Sequence, residues 1–182
     1  MHRFLLLILL LAGCSSVPVT TQRPAQTDAP FAFNGRVAFK QGEQRDSAGV
    51  RWVHRATQDE ILLLAPLGQT VARIHREGNA VTLEASGKLY TAQNMEALMQ
   101  QVLGWQLPLS GLSHWVTAEP VPDVESAIER DANGQISALR QQGWEITYAR
   151  YAAATADALP LKLNLRRDAV DVVLLIDEWE AQ

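Results

Sequence analysis

The sequence predicts a mainly β fold, with one large antiparallel sheet curled on itself and short helices against its concave face. Three observations predict it. Apolar and polar residues alternate over most of the chain from Phe31 onward, and turn residues separate the alternating runs. One stretch near the middle switches to helical spacing. A sheet of nine or so strands tends to curl, and helices placed between its strands are positioned to cover the concave side.

The elements follow in order. Phe31, Phe33, Gly35, Val37 and Phe39 fall on one face of a strand, and Asn34, Arg36 and Lys40 on the other. Ala48, Val50 and Trp52 repeat the pattern, and Ile61 to Leu64 is a continuous apolar run. The turn Ala65-Pro66-Leu67-Gly68 leads to a strand through Ile74. Gly78-Asn79 turns into Val81 to Ala85, and Ser86-Gly87 turns into Lys88 to Ala92. Asn94 reads as an N-cap for a helix carrying Met95, Leu98, Met99, Val102 and Leu103, which Gly104 ends. A second short helix, Leu109 to Val116, follows Pro108 and carries Leu112 and Trp115. Strands resume over Ile136 to Gln141, Trp144 to Tyr151, Leu161 to Leu165 and Val170 to Trp179, with Asn133-Gly134 as a turn before them. No internal repeat or second domain boundary breaks this run.

The N-terminus is of another kind. Met1-His2-Arg3 precedes an apolar run from Phe4 to Leu11, too short to span a bilayer, which needs about 20 residues. A positive residue, an apolar core and small residues make a secretory signal. Leu11-Ala12-Gly13-Cys14 resembles the bacterial lipobox, so residues 1–13 are expected to be removed and Cys14 to be acylated on both its thiol and its new amine. Cys14 is the only cysteine, which excludes an intramolecular disulfide. One acyl chain anchors only reversibly, and a triacylated cysteine exceeds what stable anchoring needs. Residues 14–30, rich in Ser, Thr, Pro, Gln and Ala, read as the lipidated end and its flexible tether. Residues 31–182 form the single domain.

Composition narrows the function. The formal net charge of −4 becomes −5 once Arg3 is lost, which is no footprint for nucleic acid. There is no nucleophile elbow, phosphate loop or zinc-protease motif, so no catalytic residue, metal site or cofactor is assigned, and no enzyme activity is expected. His54 and His75 lie in strands among basic neighbours and are expected at the surface, and His114 adds no metal-ligand spacing. The adjacent pairs Asp59-Glu60 and Asp177-Glu178 point to opposite faces of their strands and read as solvated edges. Apolar surface on a curled sheet, a helix with methionines and a lipid tether remain. From periodicity alone the aromatic inner face reads as core rather than as a ligand wall.

The ordered set of motifs resembles the LolB family, outer-membrane receptors that accept lipoproteins from a periplasmic carrier. The matching residues are Phe33-Asn34-Gly35-Arg36-Val37-Ala38, Trp52 in the next strand, and Leu62-Leu63-Leu64-Ala65-Pro66-Leu67-Gly68. Gly104-Trp105-Gln106-Leu107-Pro108-Leu109 follows, with Leu112 and Trp115, then Gly143-Trp144-Glu145-Ile146-Thr147-Tyr148, Pro160 and Trp179. The match runs from Phe31 to Trp179. It departs in a short stretch between Cys14 and the first strand, and in Ala118, where the family has glycine.

The resemblance implies an unclosed, half β-barrel with a helical lid over a hydrophobic cavity for acyl chains. Combined with alternation, it nominates Phe33, Val37, Trp52, Leu63, Leu83, Trp144, Ile146 and Leu163 as cavity lining. A turn leucine such as Leu67 either folds back on the sheet or protrudes. The resemblance implies protrusion, with Pro66, Leu67 and Gly68 as a membrane-insertion loop. The implied partners are acylated lipoprotein cargo, a LolA-like periplasmic carrier and outer-membrane lipids, for a monomeric, lipid-anchored protein facing the periplasm from the outer membrane. Ser15 fits that address, since aspartate there is the typical inner-membrane retention signal. An envelope lipoprotein that binds a small apolar ligand, or scaffolds an outer-membrane complex, is the alternative.

Overall fold

The computed structural model describes residues 22–23, 29–94, 97–98, 101 and 109–181. Cys14, Ser15, Met95, Met99 and the stretch from Val102 to Pro108 therefore lie outside the described residues. The strands are β1 (Phe31–Gln41), β2 (Gln44–Arg55), β3 (Gln58–Leu64), β4 (Thr70–Glu77), β5 (Ala80–Ala85), β6 (Lys88–Ala92), β7 (Ser126–Arg130), β8 (Ile136–Gln141), β9 (Trp144–Tyr151), β10 (Pro160–Arg167) and β11 (Val170–Glu180). Among the described residues a continuous α-helix, α1 (Leu109–Trp115), lies between β6 and β7.

All eleven strands form one sheet in the order β6-β5-β4-β3-β2-β1-β11-β10-β9-β8-β7. Every pairing is antiparallel, and every neighbour is also a neighbour in sequence except β1 and β11. The sheet is thus two meanders joined at the first and last strands. It is not closed, because β6 and β7 are its edges. The connection between those edges carries α1 across the concave side, where Trp115, Val116 and Ala118 enter the core cluster formed by the sheet's inner face. Tyr148 donates its hydroxyl hydrogen to the Trp115 carbonyl at 2.8 Å, and Trp115 Nε1 donates to Gln141 Oε1 at 3.0 Å. The helix is tied to β8 and β9 by these bonds as well as by apolar packing.

The expected elements are present within a few residues, including the second helix. Asn94 caps as expected, its Oδ1 accepting the Ala97 amide at 2.8 Å, and residues 97, 98 and 101 are helical with Leu98 fully buried. One strand was not expected. In β7 only Ser126 is even half-buried, so no apolar alternation marks it. It exists because it pairs with β8.

The seam between β1 and β11 contains a bulge. Asn34 faces Glu178 while Gly35 faces Ile176, which leaves Asp177 as the extra residue. A Cβ on Gly35 would stand 2.2 Å from the Leu175 carbonyl oxygen, so only glycine lets the two backbones approach this closely. Gly35→Ala is expected to destabilise the domain by about 1–3 kcal/mol, the usual cost of overpacking, measured as a lowered urea midpoint with an unchanged slope.

Candidate functional site

The two ends of the sheet differ. One end carries the start of β1 at Phe31, and the other carries the turns that follow β1, β3, β5, β8 and β10, Leu67 among them. On the inner face of β1 to β5, burial falls from the Phe31 end to the Leu67 end. Phe31 and Phe33 are buried but Val37 and Phe39 are half-exposed. Trp52 and Val50 are buried but Ala48 is not, and Ile61 gives way to Leu63. Ile74 gives way to Ala72, and Leu83 to Ala85. The concave face is therefore sealed at one end and apolar but partly open at the other.

The eight nominated residues sit on this face, all within one apolar assembly. Phe33, Trp52, Leu83, Trp144, Ile146 and Leu163 belong to its buried core, and Val37 and Leu63 pack on its half-exposed margin. Trp144 Nε1 is buried without a hydrogen-bond partner, and Arg167 lies 4.8 Å over the indole ring.

The leucine at the open end is held out by its turn. Gly68 donates to the Ala65 carbonyl at 2.8 Å, and Ala65 donates to the Gln69 carbonyl at 2.9 Å. This is the three-residue hairpin loop, a turn followed by one left-handed residue. Pro66 sets the first turn position, and Gly68 takes the left-handed one at φ 82°. Leu67 is left at the tip with 86% of its surface exposed. It does not fold back on the sheet.

The sealed end is polar, and here the structure corrects the sequence reading. His54 is 1% exposed, stacked on Phe31 at 4.7 Å between centroids, and not at the surface. Asp59 is buried, not solvated. One Asp59 oxygen accepts from Trp52 Nε1 at 2.8 Å and contacts His54 Nδ1 at 2.6 Å, and the other accepts from Arg76 Nε. Alternation places Trp52, His54, Asp59 and Arg76 on the inner face, and the pairings His54 to Asp59 and Asp59 to Arg76 bring them together. The only signal in the sequence is that parity; basic neighbours misled because they point outward. His75 is exposed as expected. Glu60, Asp177 and Glu178 point away from the core, Asp177 pairing with Arg36 at 2.7 Å. Gln141 is another residue that sequence reasoning missed. It is buried, accepts from Trp115 Nε1 and the Val121 amide, and donates to the carbonyls of Val121 and Val124 at 3.0 Å each.

Comparison with known proteins fits this geometry. The family model "Outer membrane lipoprotein LolB" matches residues 29–179. This chain belongs to the LolB family. An outer-membrane lipoprotein LolB of Nitrosomonas europaea is 38% identical over 97% of this chain and 90% of its own length. LolB of Chromobacterium violaceum is 37% identical over 96% and 95%, and that of an Azoarcus species 36% over 94% and 90%. Among solved structures, a DUF1329 family protein from Desulfovibrio piger shares the fold at 5% identity, with a TM-score of 0.56 over 86% of this chain and 87% of its own.

The departure from the LolB pattern at Ala118 has a defined place. Ala118 donates to the Trp115 carbonyl at 3.0 Å and Glu119 to the His114 carbonyl at 3.0 Å, the paired bonds of a Schellman cap. Ala118 holds the left-handed position of that cap at φ 57°, where glycine is unstrained. Among the described residues no cluster of His, Cys, Asp or Glu could hold a metal ion, and no helix is long and apolar enough to cross a membrane.

Burial pushes the Asp59 carboxyl up, but its bonds from His54, Trp52 and Arg76 outweigh that and hold it below its ordinary value of 3.8. A depressed folded value means that Asp59 stabilises the fold fully above pH 3.8 and ceases to as pH falls through the folded value. Asp59→Asn should therefore flatten the acid limb of stability against pH. Asp59→Ala should cost about 1–3 kcal/mol at neutral pH by urea unfolding, because it takes the acceptor away from the buried Trp52 indole N–H and from the buried His54 ring.

Proposed function

We propose that this outer-membrane lipoprotein receives acylated lipoproteins from a LolA-like periplasmic carrier by taking their acyl chains onto the open part of its concave face. It then releases them into the bilayer beside the Leu67 loop. The observation that carries the reading is the coincidence, at one end of the sheet, of a half-exposed apolar inner face with a leucine held out at 86% exposure. Cys14 is proposed as the acylated anchor that holds the domain at the membrane. No nucleotide or ion is needed. Each buried acyl methylene is worth about 0.8 kcal/mol, so transfer runs downhill if this face buries more of the chain than the carrier does and the bilayer more still. The sealed, polar end limits how far a chain enters, since Asp59, His54 and Arg76 are already paired there.

A leucine at a turn tip packs on nothing and adds nothing to the fold, so its role is outside the domain. Leu67→Glu is expected to leave the melting temperature and lipopeptide binding unchanged, and to abolish delivery of a triacylated lipopeptide into liposomes. Normal delivery by that variant would reject the role of the loop. In a competition between this protein and the carrier for a labelled triacylated peptide, the label should partition to this protein. Equal partition or retention by the carrier would reject downhill transfer.

A further inference from the structure

Five large apolar side chains are exposed among the described residues: Leu67, Val71, Leu89, Val124 and Ile128. Val124 and Ile128 lie at the β7 edge, whereas the other three gather at one corner of the opposite edge. Val71 is 50% exposed because the β3–β4 pairing shifts between Leu63 and Leu64. Leu63 faces Ala72 and Leu64 faces Thr70, so Val71 is the extra residue of a bulge and is turned outward. Leu89, 62% exposed, lies on the edge strand β6 opposite Glu84, which in turn faces Arg73. The β5–β6 turn and the Leu67 loop are two strand spacings apart at the same end of the sheet, about 10 Å. Between them opens a cleft of about 500 Å³, lined by Thr70, Val71, Arg73, Glu84, Lys88 and Leu89 among others.

We propose that this corner is a second lipid-contacting element, in which Leu89 and Val71 enter the bilayer surface beside Leu67 while Arg73 and Lys88 meet phosphodiester headgroups. Charge complementarity supports a bilayer as the occupant: two cations and one carboxylate line a cleft rimmed by apolar side chains, the make-up of an interfacial contact.

The inference rests on the Leu67 reading, and its test separates the two. Acylation consumes Cys14, so Leu67→Cys, Leu89→Cys and Ile128→Cys each carry one labelling thiol on the full lipidated chain. In vesicles of phosphatidylethanolamine and phosphatidylglycerol containing spin-labelled lipid, fluorophores at 67 and 89 should be quenched and one at 128 should not. Quenching at 67 without 89 overturns this proposal and leaves the loop reading standing. Quenching at neither overturns both, and quenching at 128 as well shows unspecific adsorption and overturns it. Leu89→Glu should also slow lipopeptide delivery about tenfold without changing the melting temperature, the effect of forfeiting one buried leucine. An unchanged rate would count equally against the proposal.

Discussion

Everything in this domain depends on the pairing of its first strand with its last. β1 lies between β2 and β11, and without that seam the chain would be two separate meanders, each with one face to bury and nothing to bury it against. Joined, they make one sheet wide enough to curl, and the curl gives the apolar face a partner in itself. The aromatic cluster at the seam shows where the closure is tightest. Phe33 and Trp179 stand 5.3 Å apart, Phe31 and Trp52 5.2 Å, and Trp179 Nε1 donates to the Pro160 carbonyl at 2.9 Å. Gly35 allows the bulge that brings those backbones together.

A curled sheet that does not close has two edges, and the chain that joins them must cross the opening. That necessity places α1. Its cap, its Trp115 and the Gln141 knot hold it against β8 and β9, so the half of the sheet beyond β11 is well covered. The β1–β5 half is covered fully only toward Phe31. The asymmetry has a chemical counterpart. At the sealed end a buried carboxylate is satisfied by an indole, an imidazole and a guanidinium, an arrangement that excludes apolar guests because entry would strand charges. At the open end the inner face is apolar over Val37, Phe39, Leu63, Ala72 and Ala85, with Gln44 and Asp46 exposed at its rim. An acyl chain would find a one-ended apolar surface.

Much of this was legible in the sequence. Alternation, apolar runs and turn residues located ten of the strands, most of which have one buried face, and Asn94 marked its helix because a cap leaves a side-chain signature. The Pro66-Leu67-Gly68 turn was legible because proline and glycine restrict the backbone locally, whereas the protrusion of Leu67 was implied only by the resemblance. β7 was not legible, since a mostly exposed edge strand owes its existence to its neighbour. His54 and Asp59 were misplaced because the reading weighed their neighbours in sequence, while burial is decided by neighbours across strands.

The sequence by itself determined the class of fold, the tight turn around Leu67, the inner-face parity of the eight nominated residues and the resemblance to the LolB family, all properties written in local order and spacing. Only the tertiary structure decided which strands meet, that the inner face is sealed at one end and open at the other, and that Val71 and Leu89 share a corner with Leu67. The reason is physical. Alternation tells which way a side chain points, but burial and clustering depend on register between strands far apart in the chain, and register is chosen by the packing of the whole sheet.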